Sequence, residues 1–127
     1  MKNTKIIIIK ALEYCDDALT FTEGMDRDAF LHDNKSKAAA SMMVIQIGEM
    51  CGRLSDDFRA KFPDMKWRTI KDIRNRITHG YGDINFGRVW NILKQDVPTI
   101  KTFFEERLRN YELENPEPPK RGPDIPL

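Results

Sequence analysis

Residues 35–54, KSKAAASMMVIQIGEMCGRL, decide how the chain is to be read. Apolar side chains return at intervals of three and four, the spacing that keeps one helical face apolar, and no strand-like alternation appears. Ala38, Ala39, Ala40 and Gly48 are small, so a neighbouring helix can approach closely. The spacing predicts a helix over about Lys35–Leu54, with an inner face drawn from Ala38, Met42, Ile45, Ile47, Glu49 and Cys51. A carboxylate in an apolar face is costly unless paired. Glu49 is therefore expected to form a structural ion pair with an arginine of the third long helix, Arg74 or Arg76, in preference to a catalytic role.

The same period extends in both directions. Upstream, a helix is expected over about Asn3–Thr22, with Ile8, Leu12, Cys15 and Leu19 in one stripe and Gly24 closing it. DRDAFLHD (26–33) reads as a short turn of helix, with His32 exposed. Downstream, Ser55 followed by two acids is a good helix start, and Pro63 ends that element. A third long helix is expected from about Lys66 to Thr78 or His79, with Trp67, Ile70, Ile73 and Ile77 on one side and Gly80 as its stop. GDINFGR (82–88) reads as a turn, and a last helix over about Phe86–Glu112 carries Val89, Ile92, Leu93, Val97, Ile100, Phe103, Phe104 and Leu108. Trp67 and Trp90 read as core or interface anchors. Pro98 must kink or divide the last helix, because it removes a backbone donor and clashes with the carbonyl of Lys94. Together these give an all-α fold: an antiparallel up-and-down bundle of four main helices plus short helical turns, occupying residues 1–113. Residues 114–127, rich in proline, are expected to be a flexible tail.

The bulk numbers narrow the class. The 127 residues suit one domain, and 40% hydrophobic against 32% charged residues support a real core. The two cysteines, Cys15 and Cys51, lie in apolar helical patterns and lack the spacing of a zinc site or a disulfide framework. No Gly-rich phosphate loop follows a strand, which excludes most nucleotide-hydrolysing folds. The apolar run before Lys10 is too short for a signal sequence or a membrane span, so a soluble cytoplasmic protein is expected, with no membrane partner. Net charge is +1, but its distribution is uneven: residues 51–76 hold eight Lys and Arg against four Asp and Glu. That excess gathers in KWRTIKDIRNR (66–76), which suits a phosphate-bearing ligand and equally a solvated helix face.

The chemistry-bearing stretch is IRNRITHGYG (73–82). An arginine fork grips phosphate, and histidine exchanges protons near neutrality. RNA brings its own nucleophile, the 2′-hydroxyl, so its cleavage needs only a base, an acid and a cationic clamp. Arg74 and His79 are five apart, however, and diverge by roughly 140° on a regular helix. They converge only if the helix tightens or ends near His79, or if a second chain brings its own copy opposite. The residues alone fit more simply a histidine beside a helix C-terminus and a glycine stop, with Arg74 and Arg76 as ordinary surface residues.

IRNRITHGY, with IQIGEM (45–50) upstream, KWRTI (66–70) just before and VWNILKQDVP (89–98) after, resembles the HepT-like family of the HEPN superfamily of helical ribonucleases. The resemblance covers roughly residues 3–110 and includes an Arg-x4-His-x-Tyr motif at Arg74, His79 and Tyr81. It implies a homodimer whose paired motifs form a composite, metal-independent endoribonuclease site, with neither metal nor cofactor required. It also implies a toxin role beside a minimal nucleotidyltransferase antitoxin, which transfers AMP onto Tyr81. By resemblance Arg74 binds the scissile phosphate, His79 is the acid or base, and Asn75 and Thr78 orient. The alternative is a non-catalytic partner that binds or regulates a nucleotidyltransferase.

Overall fold

The computed structural model describes residues 2–78 and 83–116, and among these every regular element is a helix, with one isolated bridge and no strand. The order is α1 (Lys2–Phe21), α2 (Arg27–Leu31), α3 (Asn34–Gly52), α4 (Asp56–Ala60), α5 (Trp67–Lys71), α6 (Ile73–Ile77), α7 (Phe86–Asn91), a π-helical turn (Ile92–Asp96) and α8 (Val97–Glu114). The last three run on as one rod. The proline-rich tail beyond residue 116 lies outside the described residues.

Helix ends follow local chemistry. Asp26, Asp33, Ser55 and Asn85 each accept a hydrogen bond from a backbone N–H of the first turn they precede. Gly24, at φ +76°, turns the chain out of α1 in the left-handed region where a side chain is strained. Pro98 has a resolved consequence. The Val97 N–H bonds to the Ile92 carbonyl, five residues back, so the helix widens just where the proline ring would meet the carbonyl of Lys94. The rod is accommodated rather than divided.

α1 packs along α3 and α8, and Lys101 clasps Asp16 at 2.8 Å across the α1–α8 contact. Ile8, Ala11, Cys15 and Ala18 are buried, while Leu12 and Leu19 of the expected stripe are half-buried. Trp90 is buried against Phe30 with ring centroids 5.3 Å apart. Trp67 packs on Phe103 at 5.5 Å and donates its indole N–H to the Phe62 carbonyl at 2.9 Å. His32 is exposed, as expected.

Two expectations change. The buried face of α3 is Ala40, Ser41, Val44, Ile47, Gly48 and Cys51, with Met50. Ala38, Met42 and Glu49 face solvent, and Ile45 is half-buried. The cause is double coverage: α1 lies on one flank of α3 and α5–α6 on another, so the inner face follows the small residues. At Gly48 an added Cβ would sit 3.1 Å from Ile73 Cγ2 and 3.4 Å from the Ile70 carbonyl oxygen. The third helix is also broken. Asp72 separates α5 from α6, and α6 ends at Ile77, short of His79.

Candidate active site at the end of α6

Ile73 and Ile77 are fully buried, which fixes α6 against Gly48 of α3 and turns the intervening residues outward. Arg74 and Asn75 are exposed. The Arg74 side chain is 69% exposed, and its Nη1 lies 4.0 Å from Glu49 Oε1. A contact that long between exposed groups contributes no more than about 1 kcal/mol, so the guanidinium remains available to an anion. The Glu49 partner is therefore Arg74, and Glu49 sits on the surface instead of in the core.

Arg76 is not that partner. Two residues on, it points to the opposite side of α6 and meets Asp96 of the π-helical turn, Nη2 to Oδ2 at 3.4 Å. Both side chains are about one-third exposed, 34% and 32%. The pair ties α6 to the long rod at the point that Pro98 has reshaped.

Thr78 ends the helix. Its hydroxyl donates to the Arg74 carbonyl at 2.7 Å, its N–H donates to the same oxygen at 3.2 Å, and its backbone is extended at φ −104°, ψ 137°. The strand-like geometry pairs Thr78 with Ile84, and the Asn85 N–H donates to the Ile77 carbonyl. Arg88 then reaches back to donate to the Arg76 carbonyl at 3.2 Å. Residues 76–78 and 84–88 are thus zipped together on either side of positions 79–82. His79 and Tyr81, with the Gly80 stop, lie outside the described residues. The divergence expected of a regular helix does not govern the site, because the chain has left helical geometry at Thr78.

Sequence periodicity could not have found Asp96, Asn85 or Arg88. Each reaches α6 from across the fold, Asp96 from twenty residues away. The N-cap chemistry of Asn85 before FGR was the one local signal. Among the described residues no group of three or more His, Cys, Asp and Glu is placed to hold a metal ion, and no helix is long and apolar enough to cross a membrane.

An all-α bundle that presents an arginine at the end of a short helix, just before a His-x-Tyr sequence, matches one family. The family described as "Ribonuclease HepT-like" matches residues 11–107, and the chain belongs to it. Among its curated relatives, "Putative RNase MJ1380" of Methanocaldococcus jannaschii is 32% identical over 100 residues, 79% of this chain and 92% of that protein. "Putative RNase MJ0127" of the same organism is 31% identical over 114 residues, 90% and 94% of the two chains. "Probable ribonuclease HepT" of Thermococcus cleftensis is 28% identical over 99 residues, 78% and 87%. No solved structure matches significantly.

Proposed function

We propose that the protein is the toxin of a toxin–antitoxin pair, an endoribonuclease of the cytoplasm that cleaves RNA without a metal through paired Arg74 and His79 motifs of a homodimer. Arg74 grips the scissile phosphate and stabilises the charge that develops on it. His79 moves the proton between the 2′-hydroxyl and the leaving oxygen. Asn75 and Thr78 orient the motif. A minimal nucleotidyltransferase neutralises the toxin by transferring AMP to Tyr81, so that a phosphate beside Arg74 occupies the clamp and adds repelling charge.

The observation that carries this reading is the exposed guanidinium of Arg74, on a helix whose core side is locked by Ile73 and Ile77. The surface around it supports the dimer. Ala38 and Met42 lie outward on α3, Met42 51% exposed, with half-buried Ile45 beside them, and Glu49 continues that side of the helix to Arg74. A second copy seated on this side would bring its own Arg74 near the first.

The test is cleavage of RNA by purified protein in EDTA, beside His79→Ala and Arg74→Ala variants. Both variants should keep their helical circular dichroism and lose cutting. Cutting that survives in His79→Ala ends the assignment. A wild-type protein that cuts nothing, yet binds the nucleotidyltransferase and takes AMP on Tyr81, would move the reading to a non-catalytic regulatory partner.

A further inference from the structure

We infer that Arg68 and Lys71 continue the Arg74 clamp along α5 and α6 as a backbone-binding strip, which holds the phosphates of the RNA that flank the cleaved bond. The inference rests on the ribonuclease reading and adds to it the surface that receives the substrate.

The argument begins with charge and register. Residues 66–76 hold five Lys and Arg and a single acid, Asp72. Ile70, Ile73 and Ile77 are buried, so this segment has one side fixed inward, while Arg68, Lys71 and Arg74 are exposed and follow one another at intervals of three. Arg68 and Lys71 share α5 and Arg74 follows on α6 across the break at Asp72, so the three offer successive cations to the phosphates of a single strand. Lys71 lies along the end of α3, its Cγ 3.9 Å from where a Gly52 Cβ would be, on the same flank as Glu49 and Arg74.

What marks this strip is the run of cations along one exposed side with a single acid among them. Several cations of other elements are committed: Lys101 to Asp16, Arg59 to Asp56, Arg76 to Asp96 and Arg107 to Glu106, with Lys94 over the Trp90 ring. Among the described residues the side chains of Arg68 and Lys71 make no hydrogen bond, ion pair or ring contact.

The experiment measures binding of a single-stranded 2′-O-methyl RNA, which lacks the nucleophile and is not cut, by fluorescence anisotropy across a salt series. For the double variant Arg68→Ala/Lys71→Ala, the slope of log K against log salt should fall by about 1.4, near 0.7 for each lost phosphate contact. The weakening should be the same for unrelated RNA sequences. A control pair of equal charge, Lys10→Ala/Arg109→Ala, changes exposed cations of α1 and α8 and should leave the slope unaltered. An unchanged slope in the first variant, or an equal loss in the control, overturns the strip. If wild-type protein cleaves RNA while the first variant keeps its slope, only the strip is refuted. If wild-type protein binds no RNA, the ribonuclease reading falls and takes the strip with it.

Discussion

Gly48 is where the core meets the candidate site, and its replacement separates packing from chemistry. A Cβ at this position stands 3.1 Å from Ile73 Cγ2 and 3.4 Å from both Ile73 Cβ and the Ile70 oxygen. Those neighbours belong to α5 and α6, the elements that carry Arg68, Lys71 and Arg74. Gly48→Ala gains about 1 kcal/mol of helix propensity and must push Ile73 by a few tenths of an ångström. The two effects nearly cancel, and stability should stay within about 1 kcal/mol of wild type. Gly48→Val keeps part of that gain but adds two further carbons against a fully buried isoleucine and a backbone carbonyl. Overpacking of this kind costs about 1–3 kcal/mol, so a net loss of about 1–2 kcal/mol is expected after the propensity gain. Urea unfolding followed by circular dichroism, at constant slope, gives the stability. RNA cleavage measured well below the unfolding midpoint should fall further for valine than for alanine, because α6 itself is displaced. A valine variant as stable and as active as wild type would show that α6 does not rest on α3 as described.

Two other predictions concern groups away from the site. Burial pushes the thiols of Cys15 and Cys51 up to about 12, so both are protonated at neutral pH and hold almost no thiolate. Iodoacetamide should label neither in the folded protein and both in urea, read by intact mass; full labelling of native protein would contradict their burial. The Asp33 carboxyl is held below its ordinary 3.8, chiefly by the Ser36 N–H and then by the Ser36 hydroxyl. A depressed carboxylate contributes stability above its unfolded value and loses it as pH falls through the folded one. Asp33→Ala should therefore be less stable than wild type at neutral pH, and the gap in urea midpoint should close below pH 3.8. A gap that persists unchanged into strong acid would refute that account of the cap.

Much of this was legible in the residues because it is local. The periods of α1, α3 and the final rod, the cap at Ser55, and the trouble at Pro98 all follow from neighbours within one or two turns. What was misread depended on neighbours far along the chain. Ala38, Met42, Ile45 and Glu49 fall at helical spacing and look like an inner face, but the face that is buried is chosen by where α1 and α5–α6 press. Small residues at Ala40, Ser41 and Gly48 were the better guide, since only they permit that approach. The break at Asp72 left no signal, because TIKDIRN contains neither proline nor glycine. Of the Arg74, His79 and Tyr81 motif read from the sequence, Arg74 alone lies among the described residues, and the support of its helix left no sequence signal: Asp96 and Arg88 come to α6 from the last rod.

The corrected face of α3 changes what the site requires. With Glu49 in the core, Arg74 would have been its counter-ion, and releasing it to bind phosphate would have left a buried charge unpaired, a costly state. With Glu49 half-exposed and 4.0 Å away, the pair is loose and solvated, and a phosphate can displace it at small expense. The arginine that is structurally engaged is Arg76, which pairs with Asp96 in the widened turn before Pro98. α6 thus divides its two arginines, one to hold the helix in place and one left free at the surface. A rigid helix with a free guanidinium is the arrangement that phosphate capture needs, because the position is fixed in advance and only the weak Glu49 contact must be given up.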